Sequence, residues 1–210
     1  SRPTTESDET LLRVCGALHD FGKATPAFQR HVRAEETSGP RRARQHSRLG
    51  ALATFHALRE LGLSEQAQLV GFLAVARHHG RPPDLISYLK EDVIEFEREN
   101  QVVADQVTSI DQTWPAVAHA LLQRGTDGSV EWSEFRDRVQ NGSILSALGS
   151  TVSVEYFGTT EISAAAIEPQ TYDRFYRIWT SLTLGDKTHA AGIDDIALEP
   201  QPLASPPLKP

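Results

Sequence analysis

Residues 11–29 read LLRVCGALHDFGKATPAFQ, and the pentad His19-Asp20-Phe21-Gly22-Lys23 inside them decides how the chain is read. The run before the pentad has helical spacing: Leu12, Cys15 and His19 fall at i, i+3 and i+7, an apolar stripe that delivers His19 to the interior. Asp20 then brings a carboxylate to the same pocket, and Pro26 opens a following helix, PAFQRHVR. Further along stand His46 and the pair His78-His79. Imidazole and carboxylate are the ligands that hold Fe, Mn, Co, Ni or Zn, and a carboxylate that bridges is what a two-metal hydrolytic centre needs. The pattern points to a metal site.

Working outward, the loop SGPRRARQ leads to His46 and Ser47, and Ser47 is expected to cap a helix, RLGALATFHALREL, that stops at Gly62. Ser64 is expected to cap EQAQLVGFLAVARHH, with Gly80 as its stop and Pro82-Pro83 barring continuation, so that His78 and His79 share a last helical turn. From Leu85 to about Arg124 the pattern stays helical. Between Gly125 and Gln170 it breaks into turns, NGS and FGTTE, with a β-like stretch from Val152 to Tyr156. A last helix, Tyr172 to Ala191, places Phe175, Trp179, Leu182 and Asp186 on one stripe, and a carboxylate on a buried stripe needs a partner such as a metal. Strong helical signals and weak strand signals predict an all-α domain, a compact helical bundle with a short β-like hairpin insertion.

The bulk composition narrows the function classes. A chain of 210 residues, 39% hydrophobic, suits one soluble globular domain. Its single cysteine, Cys15, allows neither a disulfide framework nor a thiolate zinc cage, so any metal must use His, Asp or Glu. Cys15 itself reads as a small core residue. No apolar run is long enough to span a membrane and the N-terminus lacks a signal-peptide pattern, which gives the expectation of a cytoplasmic protein with no membrane partner. The absence of Met at position 1 suggests a fragment whose beginning lies upstream, and ALEPQPLASPPLKP at 197–210, with five prolines, reads as a linker or tail after a domain of residues 1–196.

The net charge of −7 disfavours a generic polyanion binder, yet the distribution is uneven. From Lys23 to Arg48, the cations Lys23, Arg30, Arg33, Arg41, Arg42, Arg44 and Arg48 meet only Glu35 and Glu36. Cations therefore gather beside the metal-ligand candidates. Arg41, Arg42, Arg44 and Arg48 are the nucleic-acid-binding candidates, against the blander reading of a solvated loop. Lys23, one turn past Asp20, reads as a residue that reaches a phosphate or a neighbouring carboxylate. His31, His56, His119 and His189 lack the ordered arrangement of the others and read as surface or satisfied core histidines.

The segments HDFGKATPAFQ, QHSRLGA, ARHHG and LTLGDKTHAAG together resemble the HD-superfamily nuclease domain attached to, or encoded beside, the helicase of type I CRISPR interference. The resemblance covers roughly residues 9–195, with 95–170 contributing nothing recognisable. It implies a compact HD-domain helical bundle holding two divalent transition-metal ions (Mn, Fe, Co or Ni, with Mg as a further candidate) and degrading single-stranded DNA. Carried over by motif, Asp20 bridges the metals, His46, His78 and His79 hold one of them, and His19 with Asp186 holds the other. Asp20 and Lys23 are then the catalytic pair, with Lys23 near the scissile phosphate. The implied partners are a helicase domain in cis or in trans and the CRISPR RNA-guided surveillance complex. The family usually carries a further histidine upstream of the His-Asp pair, and no residue before His19 matches it here; truncation is the expected reason.

Two other readings use the same residues. An HD phosphohydrolase acting on nucleotides or cyclic nucleotides would need a closed, nucleotide-shaped pocket, whereas a non-catalytic HD module would hold one structural metal or a protein partner. Metal stoichiometry and substrate choice separate the three.

Overall fold

The structure, a computed structural model, describes residues 8–33, 45–80, 100–156, 159–162 and 169–190. Among these are nine α-helices: α1 (Asp8–Leu18), α2 (Pro26–Val32), α3 (Ser47–Glu60), α4 (Glu65–Ala76), α5 (Asn100–Thr113), α6 (Pro115–Thr126), α7 (Trp132–Gln140), α8 (Ser143–Val152) and α9 (Pro169–Ala190). A short 3-10 helix, Phe21–Ala24, lies between α1 and α2. The only other regular element among the described residues is the antiparallel hairpin β1 (Ser153–Tyr156) and β2 (Thr159–Ile162), with Ser153 opposite Ile162 and Tyr156 opposite Thr159. The all-α bundle with a short hairpin is therefore the architecture observed.

The centre of the bundle is the pair α3 and α4. Every residue from Leu49 to Leu58 in α3 and from Ala67 to Val75 in α4 is buried, so these helices are enclosed on all sides rather than on one stripe. Ser64 caps α4 as its sequence predicts, its hydroxyl accepting from the Ala67 amide at 3.3 Å. Thr25 does the same for α2, accepting from Phe28, with Pro26 at the first helical position. Around the central pair pack α1, α6 and α9. No helix of the described residues is long and apolar enough to cross a membrane.

Five local expectations are corrected. The buried stripe of α1 is Leu11, Val14, Cys15 and Leu18, whereas Leu12 is 36% exposed, because the inward face is set one residue earlier by contact with α3 and α4. Ser47 is the first residue of α3 and His46 takes the cap position without a side-chain cap bond, which leaves the imidazole available to the site. His78 and His79 follow α4 in a turn, since the helix stops at Ala76. The segment Gly125 to Gln170 contains two helices, α7 and α8, whose inward residues Trp132, Phe135 and Val139, then Ile144, Leu148 and Val152, are spread too thinly among polar neighbours to stand out in the sequence. The last helix starts at Pro169 and buries Phe175, Ile178 and Leu182. Residues 81–99, residues 34–44 with Arg41, Arg42 and Arg44, and the segment 197–210 lie outside the described residues.

Candidate metal centre

His19 and Asp20 form the turn between α1 and the 3-10 helix. The His19 amide continues the helical ladder to Cys15 at 2.9 Å, so the buried stripe of α1 fixes where the turn points. Its ring Nδ1 is 2.8 Å from the Gly16 carbonyl, which sets the tautomer and leaves Nε2 facing Asp20 Oδ2 at 3.3 Å and Asp186 Oδ1 at 3.8 Å. Two glycines let this turn lie against α3. A Cβ on Gly22 would strike the His46 backbone, and one on Gly50 would sit 2.5 Å from the His19 carbonyl oxygen. The pentad and His46 are thereby locked together through bare backbone.

The opposite wall is the turn Arg77-His78-His79, and α9 holds it residue by residue. Trp179 Nε1 donates to the Arg77 carbonyl at 2.9 Å, Thr183 Oγ1 to the His78 carbonyl at 3.3 Å, and Asp186 Oδ2 faces His79 Nδ1 at 3.8 Å. Spacings of four and three residues put all three side chains on one face of α9. His78 is also fixed from within, its Nδ1 lying 2.6 Å from the Val75 carbonyl, so that Nε2 points into the site. Phe28 of α2 sets its ring edge-on to that of His46, centroids 5.1 Å apart.

The six ligand candidates thus converge into two groups that share one residue. Asp20, His46, His78 and His79 offer donor atoms within 4.8 Å of one another, as do His19, Asp20 and Asp186. The two carboxylate oxygens divide the work: Oδ1 lies 3.7 Å from His46 Nε2 and 4.0 Å from His78 Nε2, while Oδ2 faces His19. Asp20 Oδ1 and His78 Nε2 are both buried and without a hydrogen-bond partner among the described residues. Buried polar atoms are rarely left bare, and two such atoms aimed at a common point fit a cation between them. The donor set, nitrogen and oxygen without sulfur, suits a divalent transition metal.

A family profile described as "Cas3, HD domain" matches residues 2–153, most of the chain and five of the six converging residues. This chain belongs to the Cas3 HD-domain family. Among curated proteins, the "CRISPR-associated nuclease/helicase Cas3" of Haloferax volcanii is 37% identical over 191 residues, covering 90% of this chain and 20% of the relative. The Cas3 HD chain thus spans about a fifth of that relative's length. No solved structure gives a significant match.

In this Cas3 HD chain the electrostatics suit cation binding at neutral pH. Burial, reinforced by the neighbouring His79, Lys23 and His78, pushes the His46 pKa down to about 4; burial with His79 and His19 does the same for His78, again to about 4. His79 is lowered too, chiefly by burial. These imidazoles are therefore neutral and ready to ligate. Burial works against the Asp20 carboxylate, but hydrogen bonds from His19 and Lys23 and their positive charges outweigh it and hold the group below the ordinary range. His19 shifts the other way: burial lowers its pKa, yet the hydrogen bond and charge of Asp20, the Gly16 carbonyl and Asp186 together raise it.

Lys23 Nζ lies 2.7 Å from Asp20 Oδ2, so the lysine reaches the carboxylate of the pentad itself. Arg48 sits half-buried in the first turn of α3. Sequence reasoning did not assign supporting roles to Gly22, Gly50, Phe28, Trp179 and Thr183. Of these, Gly22 inside the pentad and Trp179 on the stripe that carries Asp186 had a readable signal. His56 departs from its expected reading, being fully buried with neither ring nitrogen hydrogen-bonded among the described residues.

Proposed function

We propose that this chain is the metal-dependent nuclease unit of a type I CRISPR interference system, hydrolysing phosphodiester bonds of single-stranded DNA supplied by a helicase domain in cis or in trans, downstream of an RNA-guided surveillance complex. The observation that carries the reading is the division of Asp20 between two donor groups, one oxygen toward His46 and His78 and the other toward His19. The family and the name of the Haloferax volcanii relative support it.

In this reading His46, His78 and His79 would hold one ion, His19 and Asp186 would hold the other, and Asp20 would serve both. Bound there, divalent ions of the Mn, Fe, Co or Ni type would supply Lewis acidity and a water acidic enough to attack at neutral pH. The protein's own part is positional. Gly16 and Val75 carbonyls fix the His19 and His78 rings, and α9 fixes the turn that carries His78 and His79. Lys23, adjacent to Asp20, presents an ammonium with three donors, one used by the carboxylate, and the others would serve a phosphate oxygen. Arg48, with Arg41, Arg42 and Arg44, would hold the strand by its phosphates and so without base preference.

The test is incubation with circular single-stranded DNA, intact duplex, nucleoside triphosphates and cyclic dinucleotides across Mn²⁺, Fe²⁺, Co²⁺, Ni²⁺, Mg²⁺ and EDTA. Cleavage of the circles, sparing of duplex and loss in EDTA are expected. Hydrolysis of the nucleotides with the circles intact transfers the site to the phosphohydrolase reading.

A further inference from the structure

A surface cavity of about 270 Å³ opens beside the pentad, lined by Ala24, Gln29, Arg33, Trp114 and Val117. None of these residues belongs to the metal centre, yet two elements connect the cavity to it. Ala24 directly follows Lys23, whose ammonium is on Asp20. Helix α2 contributes Phe28 to His46 on one side and Gln29 and Arg33 to the cavity on the other.

The lining has the character of a stacking platform. Trp114, at the junction of α5 and α6, is half-buried, and its indole N–H is tied to the Ala24 carbonyl at 2.6 Å, so its polar edge is satisfied and its ring is held in place. Val117 beside it is 49% exposed, an apolar side chain uncovered at the rim. Gln29 is likewise fixed, donating from Nε2 to the Lys23 carbonyl at 2.9 Å, which leaves its carbonyl oxygen as an acceptor. Arg33 is exposed at the end of α2. A held aromatic ring, an amide acceptor and an exposed guanidinium are the parts that bind an unpaired nucleotide, base on the ring and phosphate on the cation. The volume lies just below the roughly 300 Å³ at which small-molecule pockets begin, which suits one base rather than a longer segment.

We infer that this cavity is a nucleotide-stacking subsite for single-stranded DNA, with Trp114 as the platform and Arg33 as the phosphate contact, placed one step along the strand from the metal centre. The inference rests on the nuclease reading for its ligand but not for its test. Because stacking accepts every base, the subsite would grip the strand without selecting sequence, and a duplex, whose bases are already stacked and paired, could not use it.

The experiment is anisotropy of a fluorescein-labelled oligothymidylate of about twelve nucleotides, a length within the usual single-strand site size, titrated with the 210-residue protein in EDTA so that no phosphate–metal contact contributes. Trp114→Leu should bind about tenfold more weakly and Trp114→Phe close to wild type, although both lose the bond to Ala24. Arg33→Ala should weaken binding and flatten the salt dependence by roughly 0.7 in log–log slope. An abasic oligomer of equal charge should bind wild type and Trp114→Leu alike. Should Trp114→Leu fail to fold, the Arg33→Ala slope and the abasic comparison on wild type still decide the matter. Unchanged binding in both Arg33→Ala and Trp114→Leu, or equal wild-type affinity for abasic and base-bearing strands, overturns the subsite and leaves the nuclease reading standing. Trp114-dependent binding by a protein that cuts no DNA with any metal upholds the subsite and removes the nuclease reading instead.

Discussion

The imidazole Nε2 atoms of His46 and His79 stand 2.7 Å apart, although the two residues are separated by 33 positions. Two ring nitrogens this close share a proton between neutral rings or share a cation, since two charged rings would repel. The lowered pKa values of both histidines, set first by burial, exclude the charged pair at neutral pH. His46 arrives from the cap of α3 and His79 from the turn after α4, so the packing of the two central helices determines this distance.

His79 is the candidate ligand most easily tested, its side chain being 46% exposed while that of His78 is wholly buried. His79→Ala should lower bound transition metal, read by elemental analysis after desalting, with a change in folding stability below about 1 kcal/mol. The His78→Ala/His79→Ala double variant should lose metal from the four-residue group altogether. Undiminished metal content in a folded double variant would remove these histidines from the site.

Thr183 acts on the centre only through the His78 carbonyl. Thr183→Val keeps the shape and leaves that carbonyl without its donor, so metal affinity should fall about 10- to 100-fold, as for other residues that orient a ligand, while stability drops by only about 1–3 kcal/mol. Competition with a fluorescent chelator reads the first quantity and thermal melting the second. An affinity equal to wild type would make Thr183 a packing residue and no more.

Gly22 should tolerate no side chain. A methyl there would overlap the His46 backbone, and overpacking of this kind costs about 1–3 kcal/mol. Gly22→Ala should therefore melt earlier and bind metal more weakly, because relief of the clash requires the pentad and His46 to separate. Gly149, where an added Cβ meets nothing within 4 Å, serves as the control: Gly149→Ala should be neutral or stabilising.

His56 is an acid-sensitive group outside the metal centre. His56, wholly buried in α3, lies 3.9 Å from Glu60, which is paired with Arg138 at 3.0 Å, and packs against the Phe135 ring. Burial, then the Arg138 charge, brings its pKa from 6.5 down to about 4, with Glu134 opposing and Arg59 assisting. The folded state thus binds the proton more weakly than the unfolded state. Stability is at its full value above pH 6.5 and declines as the pH falls toward 4, by at most about 1.4 kcal/mol per pH unit from this group. His56→Leu, which also removes two buried unpaired nitrogens, should be stable to within about 1 kcal/mol at pH 7 and should melt with a shallower pH dependence between 4 and 6.5. Identical pH slopes in the two proteins would show that His56 titrates normally.

The candidate ligands stood out in the sequence because most of them sit at an element's end, where a polar residue interrupts a strong apolar pattern. His19 closes the α1 stripe, His46 precedes the uniformly apolar α3, and His78-His79 follow the apolar α4. Asp186 was found from its place on the stripe of α9. What was misread is the fine register: which of Leu11 and Leu12 faces inward depends on neighbouring helices that spacing within α1 does not encode. The helix ends also moved by one to three residues; at the start of α3, capping by Ser47 competes with the demand that His46 reach the site. α7 and α8 were obscured because short helices with three or four inward residues give no sustained period. Supports that act through backbone carbonyls, such as Thr183 on His78, leave no trace in residue spacing at all.

The claim on which the account turns is that one carboxylate joins two cation sites, and manganese spectroscopy reads it directly. Wild-type protein loaded with Mn²⁺ should show the electron paramagnetic resonance of a coupled pair and should cut circular single-stranded DNA. Asp20→Asn, nearly identical in shape but without the charge, should show only isolated ions and cut at least about 10³-fold more slowly. A coupled signal and near wild-type cleavage in Asp20→Asn would contradict the account.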